Sequence, residues 1–106
     1  MAAQEFQLTN QACADLEAIA DYLHSRSATA AYRVIDQLFE TFLSLAADPG
    51  MGVHRHDLPT RLLMFVPAKP AGKYIVFYST IERGILVTDI IHSARDWVGM
   101  FDSGER

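Results

Sequence analysis

The segment 89–97, DIIHSARDW, closes an apolar run with His92, Ser93, Arg95, Asp96 and Trp97 in close succession. An imidazole, a hydroxyl, a guanidinium and a carboxylate at the end of a strand could form a catalytic cluster at the mouth of a sheet. A plainer reading competes. Ser93 followed three residues later by Asp96 is close to a capping box, with Asp in place of the usual Glu or Gln. Asp96 also sits where a helix dipole favours a negative charge. Trp97 would then pack back on the sheet, and a histidine at a strand end more often serves structure than base catalysis. On balance the cluster reads as a strand-to-helix junction, with Arg95 as its functional candidate.

The other chemical-looking residues divide in the same way. His54 and His56 in HRHD (54–57) point to one side of an extended segment. A stable zinc site needs three or four ligands, and here His92 or Asp57 would have to complete it by accident of folding. A polar loop with no metal and no cofactor is expected. Cys13 has no neighbouring base in sequence and reads as a small buried apolar residue. Tyr74 and Tyr78 alternate with Val76, but a platform for stacked bases needs a basic surround, and only Lys73 is adjacent. Arg61, Lys69, Lys73 and Arg83 would form a positive rim if they gather at the ends of a sheet.

The elements that must position these groups follow from periodicity. Residues 4–8, QEFQL, alternate polar and apolar as a short strand does. Thr9 or Asn10 caps a helix whose apolar stripe is Ala12, Leu16, Ile19, Ala20 and Leu23, with Asp15, Glu17 and Asp21 off it. Ser27 caps a second helix from about Ala28 to Ala47. Its apolar set of Ala31, Val34, Ile35, Leu38, Phe39, Phe42, Leu43 and Leu45 is wider than one surface needs, so it should pack on two neighbours. Pro49 and Gly50 stop it. The period then changes. RLLMFV (61–66), KYIVFYS (73–79) and GILVTDIIH (84–92) are rich in β-branched and aromatic residues and are separated by the turns PAKPAG and TIER. In the middle run Tyr74, Val76 and Tyr78 share one face and Ile75 and Phe77 the other, so both faces need cover. A helical hairpin covers one; the other forms a concavity or receives a partner segment. Trp97, Val98 and Phe101 form a short amphipathic end. The fold class is α+β: an N-terminal strand, an antiparallel helical hairpin on a mainly antiparallel sheet in the order β-α-α-β-β-β, and a short C-terminal helix.

The chain has 106 residues, one domain's worth (1–106), and half of them are apolar. A domain of this size gains from a partner chain or self-association. A single cysteine makes no internal disulfide and points to a reducing compartment. The first ten residues lack the features of a secretory signal, and no apolar run approaches the roughly 20 residues that span a bilayer. A cytoplasmic protein with no membrane partner is expected. The net charge of −4 is uneven: residues 1–50 hold two basic and seven acidic side chains, and residues 51–95 six basic and three acidic. That is a weak footprint for nucleic acid, and no direct nucleic-acid binding is expected.

LTNQACADLEAIADYL, LAADPGMG, HDLPTRLLMF, KYIVFYS and IIHSARD, in this order and spacing, resemble the ParE/RelE superfamily of toxins from bacterial type II toxin–antitoxin modules, from Leu8 to Phe101. DPGMG, YIVFY and HSARD look most like its ParE branch, the plasmid-stabilisation proteins. The resemblance implies a cognate antitoxin as partner and DNA gyrase as target, with growth inhibition by binding rather than by catalysis. It also implies assembly as a homodimer or as a toxin–antitoxin hetero-oligomer. RelE-type members instead cleave mRNA in the ribosome, using basic side chains on the sheet, an Arg after the last strand and commonly a Tyr in the final helix. Here Leu62, Leu63 and Met64 stand where that branch has lysines, Ile75 where it has an arginine, and Phe101 in place of the tyrosine. Arg95 alone matches. A RelE-type ribonuclease using Arg95 with some of Arg61, Lys69, Lys73 and Arg83 is the alternative, as is an inactive remnant that only binds antitoxin. Arg61, Lys73, Arg83, His92, Arg95, Trp97 and Phe101 are the residues expected to meet target or antitoxin.

Overall fold

A computed structural model describes residues 5–102. The elements run β1 (Glu5–Leu8), α1 (Asn10–His24), α2 (Ala28–Ala47), a single 3₁₀ turn (Pro49–Met51), β2 (Leu63–Phe65), β3 (Tyr74–Ile81), β4 (Gly84–His92) and α3 (Trp97–Asp102). The sheet order is β1-β4-β3-β2. β2–β3 and β3–β4 are antiparallel, whereas β1 lies parallel to β4, with Glu5 opposite Gly84 and Leu8 opposite Val87. The α+β class and the element order agree with the sequence reading. The strand over 61–66 shrinks to Leu63–Phe65, because Leu62 closes a turn with Pro59 through its N–H at 2.9 Å. Gln4 lies outside the described residues.

Both hairpin helices begin at the predicted caps. The Thr9 hydroxyl accepts the Ala12 N–H at 3.1 Å, and that of Ser27 accepts the Ala30 N–H at 3.2 Å. Thr9 has a second task. β1 ends opposite Val87, so beyond it β4 has no strand partner on that side. Its exposed backbone groups are taken up by side chains instead: the Thr9 hydroxyl donates to the Thr88 carbonyl at 2.9 Å, and the Asp15 carboxylate accepts the Ile90 N–H at 2.9 Å. Asp15 is therefore half-buried against β4, although it lies off the apolar stripe of α1.

The two sheet faces form two cores, as the alternation of β3 requires. Tyr74, Val76 and Tyr78 pack under the hairpin with Leu16, Ile19, Leu38, Phe42 and Leu45. Ile75 and Phe77 pack on the opposite face with Leu58 and Ile91, beneath Trp97, Met100 and Phe101. A shift in register at Phe77/Tyr78 lets β4 serve both cores, sending Ile85, Val87 and Ile90 to the first and Ile91 to the second. As the width of its stripe predicted, α2 packs on two neighbours, α1 and the sheet, where Phe42 and Phe39 meet Phe6 of β1 at ring separations of 5.3 and 5.9 Å. Part of the stripe remains uncovered. Leu43 is 58% exposed, Phe39 lies at the margin, and Tyr32 beside them is 79% exposed. Cys13 is also exposed, contrary to the buried role expected of it, because it falls on the outer side of α1 next to the buried Ala12.

Candidate functional site

The seven residues singled out in the sequence separate into three places. Lys73, His92 and Arg95 come together. Tyr74 and His92 are register partners, and the Ser93 N–H donates to the Lys73 carbonyl at 2.8 Å, fixing the start of β3 beside the turn that follows β4. These three residues line a cleft of about 670 Å³ between the second half of α1 and the ends of β3 and β4. Its floor is Ile19, Leu23, Tyr74 and Ile90, and its far wall carries Tyr22 and Arg26. The Arg26 guanidinium lies over the Tyr22 ring, 4.6 Å from its centroid. His92 stands edge-on to Tyr74 with centroids 5.4 Å apart, and its Nδ1 accepts the Ala94 N–H at 3.1 Å. That hydrogen bond leaves the neutral ring's proton on Nε2. Burial, with the nearby Tyr22, pushes the Tyr74 phenol above its ordinary value.

Arg61 and Phe101 line a second concavity, of about 640 Å³, on the other face of the sheet, together with Thr88 and the buried Asp89. Trp97 packs on Phe77 at 5.5 Å and lies under the Arg55 guanidinium, 5.0 Å from the ring centroid. Phe101 meets the same Phe77 ring at 4.9 Å. Arg83 stands apart, in the β3–β4 turn at the opposite end of the strands, 3.9 Å from the Glu5 carboxylate. The positive rim is thus divided between two ends of the sheet.

The junction after β4 differs in detail from a capping box. The Asp96 carboxylate accepts the Gly99 N–H at 3.2 Å, so Asp96 is itself the cap of α3, three residues after the Ser93 that the box would place there. In the HRHD loop, Arg55 grips both Asp57 oxygens, at 3.1 and 2.6 Å, and this hydrogen bonding holds the Asp57 carboxyl below its usual range. His54 and His56 are exposed, and among the described residues no three His, Cys, Asp or Glu side chains are grouped to hold a metal ion. Sequence reasoning missed Tyr22, Arg26, Asp15 and Arg55. Arg26 lies in the HSRS break between the helices, a place that looks like mere punctuation. Tyr22 lies off the apolar stripe of α1, beside its buried members.

A helical hairpin laid on a sheet of order β1-β4-β3-β2 defines the class, and comparison places the chain within it. The family model described as the ParE toxin of the type II toxin–antitoxin system parDE matches residues 6–97, and the chain belongs to this family. Among solved structures, a chain of the chromosomal ParDE TA system from P. aeruginosa is similar in fold, with a TM-score of 0.69 and 17% identity over 84% of this chain and 95% of that one. No curated protein matches the sequence significantly.

Proposed function

We propose that this domain, the toxin half of its type II pair, acts in the cytoplasm by binding DNA gyrase, without chemistry of its own, and is neutralised by a cognate antitoxin. The observation that carries this reading is the second face of the sheet. Ile75, Phe77 and Ile91 are buried there beneath Trp97, Met100 and Phe101, and the adjoining concavity holds the buried Asp89 with Arg61. Cleavage of RNA by its own 2′-hydroxyl needs a base, an acid and cations for the charge that builds on the phosphate. Here the surface is apolar beside a carboxylate, and Arg61 is the one cation among the described residues lining that concavity to offset such charge. Tyr32, Phe39 and Leu43 along α2 leave apolar surface uncovered in a small protein, and this supports an antitoxin segment laid along the hairpin. Lys73, His92 and Arg95 at one cleft, and Arg61, Trp97, Phe101 and Arg83 elsewhere, are the proposed contacts for target or antitoxin.

Brief induction of the chain alone in bacteria, with pulse-labelling of DNA and protein synthesis in parallel, tests this. DNA synthesis failing first is the expected result, with rescue by the antitoxin. A ribosome-dependent ribonuclease is the second reading, favoured by the gathering of Lys73, His92 and Arg95. It requires protein synthesis to fail first and Arg95→Ala to abolish the effect. Undisturbed growth would mark an inert antitoxin-binding remnant.

A further inference from the structure

The two edges of the sheet differ. Beyond β2, Val53 and Met64 exchange two backbone hydrogen bonds, both at 2.9 Å, which plug that edge at its centre. β1 forms the other edge. Its odd residues turn inward: the Glu5 and Thr9 N–H groups donate to the carbonyls of Arg83 and Val87, at 2.7 and 3.0 Å. The N–H and C=O groups of Phe6 and Leu8 therefore point away from the sheet. Among the described residues they have no backbone partner. From Thr9 the chain turns inward over β4, where Asp15 reaches Ile90, so α1 leaves this edge uncovered. Such a row of open backbone groups is a template for another strand.

We propose that a second copy of this chain pairs antiparallel with β1 about a two-fold axis at Gln7, joining the two four-stranded sheets edge to edge. In this register Phe6 stands opposite the partner's Leu8, and Leu8 opposite the partner's Phe6. Each is a pair of outward-facing residues that exchanges two hydrogen bonds, so every open group of the strand is filled. Phe6 and Leu8 already pack on the core under the helices, and the new pairs extend that core across the axis. The edge asks for a strand with apolar residues at alternate positions, and β1 is itself such a strand, which selects a second copy. Charge permits the pairing. Glu5 falls opposite the partner's Thr9, about 13 Å along the ladder from the partner's Glu5, beyond the Debye length of physiological salt. The helices fit as well. α2 rests on β1 and β4 to the same extent, which puts its axis about 5 Å from the two-fold and the two α2 helices about 10 Å apart, a packing distance. Phe39, seated on Phe6, and the exposed Leu43 one turn further on then gain cover. The same stripe is proposed above for the antitoxin, so the dimer is the form of the free toxin, and antitoxin dissolves it. Only that last step rests on the antitoxin reading, and the chain alone tests the rest.

Sedimentation equilibrium of the full chain alone, from about 1 μM to about 1 mM, is expected to show reversible exchange between monomer and dimer. Gln7 is exposed, so Gln7→Lys should leave the monomer's melting temperature unchanged. It sets two ammonium groups opposite each other at the axis and should weaken the dimer at least about tenfold. Crosslinking checks the register. In a Cys13→Ser background, Gln7→Cys places two thiols on a pair whose Cα atoms are about 4.5 Å apart, within reach of a disulfide. Oxidised glutathione should link this variant rapidly and leave Glu5→Cys, which faces the partner's Thr9, unlinked. The proposal is overturned by a monomer at every concentration, by a dimer indifferent to Gln7→Lys, or by Gln7→Cys crosslinking no faster than Glu5→Cys.

Discussion

The Tyr78 hydroxyl donates to the Pro49 carbonyl at 2.7 Å and accepts the Gly52 N–H at 2.8 Å, tying the middle of the sheet to the loop that ends α2. This contact accounts for the DPGMG stretch. Pro49 ends the helix and leaves its carbonyl free, and Gly52 lets the backbone pass where a Cβ would overlap the Tyr78 ring and hydroxyl. Tyr78→Phe leaves two backbone groups without their partner and should cost about 1–3 kcal/mol of stability. Gly52→Ala should be destabilising in the same way. Urea denaturation of each variant against the parent measures both.

The same burial gives a pH dependence. Burial pushes the Tyr78 phenol above its ordinary value of 10.0, although the Gly52 hydrogen bond pulls the other way. Above that value the unfolded chain loses the phenolic proton while the folded chain keeps it. Stability should therefore fall as pH rises from about 10 towards the higher folded value. Tyr74, raised mainly by its own burial, contributes in the same direction. Denaturation midpoints measured across this alkaline range should fall less steeply in Tyr78→Phe than in the parent; identical slopes would show that Tyr78 is not the group responsible.

Gly84 has φ of 144°, and a Cβ there would overlap the backbone of Glu5. The parallel pairing of β1 with β4 begins at this contact, where the Glu5 N–H donates to the Arg83 carbonyl at 2.7 Å. Gly84→Ala should destabilise by about 2–4 kcal/mol, combining an unfavourable φ with a steric clash. Hydrogen exchange should show β1 losing protection first. Uniform loss across the sheet would mean that β1 does not depend on this approach.

Asp15 anchors α1 to β4 through the Ile90 N–H. Asp15→Ala should cost about 1.5–3 kcal/mol, since the lost bond is charge-assisted. Asp15→Asn keeps an acceptor and should cost less. Thermal melts of the pair separate the lost hydrogen bond from the lost charge.

Much of the architecture was legible because each segment's period, cap and breaker agree. Thr9 and Ser27 cap where their spacing from the apolar stripes places them, and β3 alternates between two cores as Tyr74, Ile75, Val76, Phe77 and Tyr78 read. Strand β2 is shorter than the apolar run over 61–66, because such a run does not reveal that Leu62 is committed to a turn. The site was harder to read. Lys73, His92 and Arg95 meet because β3 and β4 pair end to end, a relationship hairpin order implies, but Arg26 reaches them from a loop 47 positions before Lys73. Periodicity places Asp15 off the apolar stripe, and nothing in a helical period signals that β1 is shorter than β4 and leaves the Ile90 N–H for it.

The uncovered stripe on α2 yields a prediction about neutralisation. Tyr32 and Leu43 are exposed and lie outside the buried core, so Tyr32→Glu and Leu43→Glu should leave the melting temperature within a few degrees of the parent. If the antitoxin covers this stripe, the double variant should bind it at least about tenfold more weakly, because two carboxylates would be buried against apolar surface. Calorimetric titration of antitoxin into each protein makes the comparison. Unchanged affinity would move the antitoxin to another face.

The measurement closest to the central claim is plasmid supercoiling by purified gyrase in the presence of increasing amounts of this chain. Binding without chemistry predicts that supercoiling is lost as the chain is added, restored by antitoxin, with mRNA on translating ribosomes left intact. Undiminished supercoiling together with mRNA cleavage would contradict it, and would assign the work to Arg95 and its neighbours as a ribonuclease.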